Sequence, residues 1–361
     1  MLKLSKISIT HFKNYEFKIF SFSARVIGIY GLNGKGKTNL LDAIYYCCFT
    51  KSYFIATDNM NIGFDKDGFR LEALFHHDDS SNKIICINRG TGKKELSLND
   101  VPYEKLSSHI GLLPSVIIAP DDIELIAGNS DLRRKYIDTI LCQIDSDYLQ
   151  QLMKYNKILQ QRNSLLKRFA EQGNMDEVLL DIISQQMVEP GTYIFQKRKN
   201  LLKEIAPIAK DLYHRFSRNT ESITMIYESR LLQNDFNEIF TQNRSKDLLL
   251  QRTNGGIHKD DLKFELNGQA FKNTASQGQR KSLLFALKLA EFSILEKYKG
   301  FPPILLLDDV FEKLDSERME QLLAWVCNEN TGQVFITDTH RTRLKDTLTH
   351  LNTDFQLVEL N

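Results

Sequence analysis

No cysteine pair in this chain has the C-x-x-C spacing, no stretch is apolar for long enough to cross a membrane, and neither sign of charge dominates. The five cysteines (Cys47, Cys48, Cys86, Cys142, Cys327) are scattered. That pattern excludes a ribbon-type zinc site and reads as reduced thiols in a cytoplasmic protein. The start, "MLKLSKISIT", lacks the apolar core of a signal peptide. No run approaches the ~18 to 20 apolar residues of a membrane span, so a membrane partner is not expected. Lys and Arg total 47 against 46 Asp and Glu, a net charge of +1. Any nucleic-acid contact must therefore be a local patch rather than a global field. Internal repeats and low-complexity segments are absent as well. A length of 361 residues suits two domains, or one domain with a large insertion.

What is present starts at residue 31. Gly31, Leu32, Asn33, Gly34, Lys35, Gly36, Lys37 and Thr38 fit G-x-x-x-x-G-K-T. They follow a short apolar run (Val26, Ile27, Ile29) that reads as a buried strand. After them Asn39 to Phe49 reads as a helix, with Leu40, Leu41, Ile44 and Tyr45 on one side. Strand, glycine loop, helix is the context a phosphate-binding loop needs. Its glycines let the backbone turn several N–H groups toward one phosphate chain at a helix N-terminus. Lys37 is expected to reach the β- and γ-phosphates, and the Thr38 hydroxyl to ligate Mg²⁺. This is the signature of nucleoside triphosphate binding.

Along the chain, "LKLSKISI", "FKIFSF" and "RVIGIY" alternate like strands, and "RLEALFH", "KIICINR" and "KELSLN" read as a β-meander turning at Gly90 and Gly92. From Asp121 to Ser217 the pattern is nearly all helical. Tyr148, Leu152, Tyr155, Leu159, Leu166 and Phe169 keep a heptad-like spacing in which Arg162 takes a skipped position. "EQGN" ends that helix, and a second runs from Asp176 toward Phe216 past Pro190 and Gly191. Strand-helix alternation resumes near the C-terminus, with helices over 277–297 and 315–328 and strands over 304–307 and 333–337. The expected organisation is one α/β nucleotide-binding domain (1–120 and 221–361) split by a helical lobe at 121–220.

A second half of the nucleotide site follows from "PPILLLDDVFEKLD". Two carboxylates after a buried strand are costly unless paired or metal-bound. Asp308 would complete the magnesium shell. Asp309 would either orient a water beyond the γ-phosphate or cap the following turn. Positioning is its more useful role, because phosphoryl transfer needs little proton abstraction. Ser276, Gln277, Gly278 and Gln279 open an amphipathic helix. Ser276 is a good N-cap, and the helix N-terminus offers another anion-binding position, although an ordinary capped core helix has the same spacing.

S-x-G-Q before a helix, then L-L-L-D-D and "KLD", resembles the signature, Walker B and D-loop series of ABC-type ATPases. In that family the signature of one subunit caps the ATP held by the P-loop of another, so the resemblance implies ATP, Mg²⁺ and an ATP-dependent homodimer. The long interval between the two motifs resembles SMC-like ATPases, which insert a helical arm there. "FKNY", "GLNGKGKTNLLDAIYY", "PDDIELIAG", "LRRKYID", "YNKILQQRNSLLK", "HKDD", "SQGQRKS" and "LLLDDV" occur in order over nearly the whole chain. That set is similar to the RecF family of recombination mediators. The resemblance implies an ABC-type α/β head with a mixed sheet, an N-terminal β-meander and an inserted helical lobe. It also implies a weak ATPase used as a switch, binding to single-stranded and gapped DNA without sequence preference, and a RecR-type partner.

The chain departs from the family pattern at Gly256 to Asp261 (commonly G-P-H-R-D-D), at Glu312 and Lys313, and at Gly128 to Ser130. His340, in "ITDTH", resembles the switch histidine that senses the γ-phosphate, or is a solvated histidine in a turn. The basic clusters are Arg133, Arg134 and Lys135; Lys197, Arg198 and Lys199; and Arg341, Arg343 and Lys345. Arg134 lies four residues before Asp138, so an internal pair competes with phosphate contact. Two other classes are disfavoured. A metabolic P-loop kinase should lack the Ser276 signature. A structural SMC protein would need a longer heptad arm, and an OLD-type nuclease a metal-binding domain after the ATPase.

Overall fold

The computed structural model describes residues 1–361 except 173–175, 218–220 and 313–315. The expected "KLD" turn and the turn inside "EQGN" lie largely outside the described residues. Two compact units emerge: Met1–Ile123 with Asp211–Asn219 and Ser276–Asn361, and Glu124–Lys210 with Thr220–Ala275. The segment before Ser276 thus groups with the helical unit, whereas the sequence pattern put that boundary at 220.

The first unit is α/β, as expected, but its strands form two separate sheets. Five short strands are all parallel, in the order Phe355–Glu359, Val26–Tyr30, Val334–Asp338, Ile304–Leu307, Ser115–Ile118. Four of them are nearly continuous apolar runs, the composition of strands covered on both faces. Six antiparallel strands form the other sheet, ordered Tyr15–Ser21, Leu2–Phe12, Gly68–His77, Ser80–Arg89, Lys94–Leu98, Val101–Pro102. "LKLSKISI" and "FKIFSF" therefore belong with the meander, and only "RVIGIY" enters the parallel sheet.

The helix after the glycine loop, Lys37–Phe49, touches strands of both sheets. It is buried on every side from Leu40 to Phe49 rather than along one stripe. Phe12, Tyr46 and Phe69 meet edge to face beside it. This packing anchors the loop at the helix N-terminus on a rigid base.

The second unit contains a three-stranded antiparallel sheet (Gln269–Ala270, Asp261–Leu266, Ile223–Glu228) and the helices Ser130–Ile144, Ser146–Gln172 and Phe236–Leu250. Helix Glu177–Ser217 runs through Pro190 and Pro207, and its residues from Asp211 on belong to the first unit. Arg162 is buried and donates to Asp247 at 2.7 Å, Ser184 at 2.9 Å and Thr253 at 2.9 Å. The skipped position in the heptad pattern is therefore a buried polar joint. "HKDD" is another: His258 meets Tyr155 at 2.9 Å, and Asp261 receives two hydrogen bonds from Arg133. Burial holds the His258 imidazole down at about 4, so it is neutral at physiological pH.

Candidate nucleotide site

Strand Val26–Tyr30 ends at the glycine loop, and the helix begins at Lys37. Gly34 and Gly36 have φ of 81° and 98°, a region that favours glycine. A Cβ on Gly36 would also lie 2.9 Å from both Asn14 Nδ2 and Tyr15 Oη. Those two side chains brace the loop. Tyr15 Oη donates to Gly36 O at 3.0 Å, Asn14 Nδ2 to Gly34 O at 3.4 Å, and Asn39 Nδ2 to Asn14 Oδ1 at 2.7 Å. "FKNY" thus has a physical task that its sequence alone did not disclose: it supports the phosphate loop from an adjacent hairpin.

Lys37 is buried, and its ammonium donates to Gly31 O at 2.7 Å and Leu32 O at 3.2 Å. The first helical hydrogen bond of this turn runs from Leu40 N to Gly36 O. Earlier N–H groups in the turn are those a helix leaves to an external acceptor. Leu32, Asn33, Gly34 and Lys35 are exposed around them. Lys35 N bonds Leu32 O at 3.3 Å, and the donors that follow it sit beside the Lys37 ammonium, a combination that suits a polyanion.

Thr38 and Asp308, 270 residues apart in sequence, meet directly: Thr38 Oγ1 donates to Asp308 Oδ2 at 2.9 Å. Strand Val334–Asp338 lies between the strands that precede them. Thr337 on that middle strand donates to the other carboxylate oxygen, Asp308 Oδ1, at 2.9 Å. Burial pushes the Asp308 carboxyl above its ordinary range, against the opposing effect of the two hydroxyls. Asp309, half-buried, adopts φ 51° and donates its N–H to Thr337 Oγ1 at 2.8 Å. The motif residues did not point to Thr337; a lone hydroxyl in the apolar run "VFIT" was the available signal.

These oxygens fit a hard cation. Among the described residues no cluster of three or more His, Cys, Asp or Glu forms a metal cage. One hydroxyl and one carboxylate are instead the sparse donor set suited to Mg²⁺, which keeps waters and phosphate oxygens in its shell.

Ser276 is exposed and caps helix Gln277–Lys299 through a capping box. Gln279 N donates to Ser276 Oγ at 3.2 Å, and Ser276 N to Gln279 Oε1 at 2.6 Å. These bonds lie within its own turn and do not reach the P-loop. His340 is exposed at the N-cap of helix Arg341–His350, where its N–H donates to Asp338 Oδ1 at 3.1 Å.

The basic clusters are largely committed internally. Arg134 pairs with Asp131 and not with Asp138. Asp138 instead receives Arg198, which is buried. Lys197 reaches Asp145 at 2.5 Å, and Arg343 holds Asp338. Helix periodicity allows Arg134 either Asp131 or Asp138, and Asp138 is taken by Arg198; the partners of Lys197, Arg198 and Arg343 come from other elements.

Residues 3–356 match the family model described as RecF/RecN/SMC N terminal domain. The chain is 40% identical over 359 residues to the DNA replication and repair protein RecF of Flavobacterium johnsoniae, covering 99% of this chain and 100% of that one. It is 42% identical over 335 residues to the RecF of Cytophaga hutchinsonii, covering 93% and 89%. A solved structure of the recombination mediator protein RecF-ATPrS in the RecFOR pathway superposes with a TM-score of 0.89 at 30% identity, covering 100% and 96%. An Smc head domain from Pyrococcus furiosus superposes at 0.57 with 18% identity, a likeness of fold alone.

Proposed function

Because the chain belongs to the RecF family within the RecF/RecN/SMC group, we propose that it is an ATP-switched DNA-binding protein of recombinational repair, acting at single-stranded and gapped DNA. ATP would lie with its phosphates on the donors of residues 31–38. Lys37 would exchange its bonds to two loop carbonyls for bonds to the β- and γ-phosphates. Thr38 and Asp308 would hold Mg²⁺, which when bound supplies charge neutralisation for the phosphate oxygens. Asp309 would hold the attacking water in line with the γ-phosphorus. As the water oxygen bonds to phosphorus, the bond to the β–γ bridging oxygen would break, ADP would leave with that electron pair, and the water's proton would pass to an oxygen of the released phosphate.

Ser276 would cap the ATP of a second copy, making pairing conditional on nucleotide. His340 would sense the γ-phosphate. Hydrolysis, slow in this scheme, would release the pair and its grip on DNA, and a RecR-type mediator would act on the DNA-bound form. Support comes from the relatives as well as from geometry: those at about 40% identity are DNA replication and repair proteins RecF, and two similar solved structures are the recombination mediator protein RecF with ATPrS and with ATP.

The observation that carries the reading is the approach of Thr38 and Asp308 to 2.9 Å beside Lys37. Lys37→Ala tests it. Charged hydrogen bonds in such a site are worth ~1.5–3 kcal/mol each, so ATP affinity should fall roughly ten- to a hundredfold with the fold intact. Undiminished binding of ATP in a calorimetric titration of this variant would remove the P-loop assignment.

A further inference from the structure

Thr337 is fully buried at the end of an apolar strand, where a valine would fill the same volume without a polar atom. A buried hydroxyl is unfavourable unless its hydrogen bonds repay desolvation. This one is used twice. It donates to Asp308 Oδ1 at 2.9 Å and accepts from Asp309 N at 2.8 Å. Thr38 holds the second oxygen of the same carboxylate at 2.9 Å, so two hydroxyls on different elements fix both side-chain torsions of Asp308.

Asp309 gains as much. Its φ of 51° is uncommon for a residue with a Cβ, and Thr337 supplies the acceptor for its N–H in that conformation. The next residue, Asp338, is also buried but serves the opposite side: its carboxylate holds Arg343 and the His340 N–H. The strand end thus ties the two acidic residues to the turn that follows.

We propose that Thr337 is a positioning residue of the nucleotide site, whose hydroxyl sets the Asp308 carboxylate for Mg²⁺ and the Asp309 turn for the attacking water. The inference rests on the ATP-site reading above. It acts through Asp308 and Asp309, so its loss should spare metal-free nucleotide binding and penalise the steps that need Mg²⁺.

The test compares the full chain with Thr337→Val and Thr337→Ser. Binding of a fluorescent ATP analogue is measured in EDTA and across a Mg²⁺ titration, alongside kcat and KM for ATP. The valine variant should bind the analogue normally in EDTA, need about tenfold more Mg²⁺ for half-saturation, and lose about tenfold or more in kcat. The serine variant, which keeps the hydroxyl, should recover most of both. Should the valine variant lose its cooperative unfolding transition, Thr337→Ala takes its place in the same comparison. A well-folded valine or alanine variant whose Mg²⁺ requirement and kcat lie within twofold of the parent overturns the inference alone. Normal analogue binding by Lys37→Ala overturns the ATP-site reading itself, and the inference with it.

Discussion

Glu291 is one of the few acidic side chains placed deep in the first unit. Burial raises its carboxyl to about 7, beyond what the Lys288 ammonium offsets. Lys288 lies 3.7 Å from Glu291 Oε2, too far for a hydrogen bond, and 3.8 Å from Asp122. Tyr53 and Tyr45 also face the group. With Glu291 protonated, Lys288 and Asp122 balance; ionisation adds a net negative charge in a desolvated place. The folded protein therefore holds a proton that the unfolded chain releases above roughly pH 4.3. Unfolding then releases protons, so this contribution to stability is complete below that value and is lost as pH rises through about 7. Glu291→Gln keeps the shape and cannot ionise. It should match the parent at pH 4 or below and exceed it near pH 8 by up to ~3 kcal/mol. Urea unfolding at the two pH values measures the difference, and equal differences at both would contradict this account.

At the scale of elements, the two phosphate-related tasks of the proposed scheme fall to helices with different surroundings. Helix Lys37–Phe49 is enclosed by two sheets, which fixes the loop at its N-terminus. Helix Gln277–Lys299 is buried over Ser282–Leu295 but presents an exposed N-terminal turn at Ser276 and Gln277. In the proposed scheme that exposure would leave the turn open to the ATP of a second copy. Ser276→Arg places bulk and positive charge at the positive end of a helix dipole. It should leave ATP binding by the monomer unchanged while abolishing ATP-induced dimerisation and phosphate release. Light scattering with and without ATP, followed by a turnover assay, distinguishes the outcomes. Normal dimerisation with normal turnover would reduce the capping box to a structural feature.

For the whole molecule, charge is balanced overall and most cations of the three basic clusters already have carboxylate or carbonyl partners. In the proposed scheme DNA binding would draw on uncommitted cations, brought together by pairing of two copies, and on backbone rather than base contacts. If the ATP-bound pair neutralises about four to six phosphates, log K should fall against log salt with a slope of about −4 to −5. Fluorescence anisotropy with gapped duplexes of different sequence, at several salt concentrations and with ATP, gives that slope. A flat salt response, or strong preference for one base sequence, would exclude a backbone clamp.

The glycine loop, the Asp308 strand and the order of helices were legible in the chain because each rests on local patterning. Glycine at a required φ, continuous apolar runs before carboxylates and a serine three residues before a glutamine all act over a few positions. Family membership was legible for the same reason, since an ordered set of short motifs survives as sequence. Long-range partners were not. Which sheet takes Leu2–Phe12, that Asn14 and Tyr15 brace Gly34 and Gly36, and that Asp138 takes Arg198 from another helix all depend on distant segments. Thr337 is the sharpest case. Its sequence neighbours are those of any buried strand, and only the alignment of three parallel strands places its hydroxyl between Asp308 and the Asp309 N–H. Local propensity selects elements, but hydrogen bonds between elements exist only once burial has excluded water from around them.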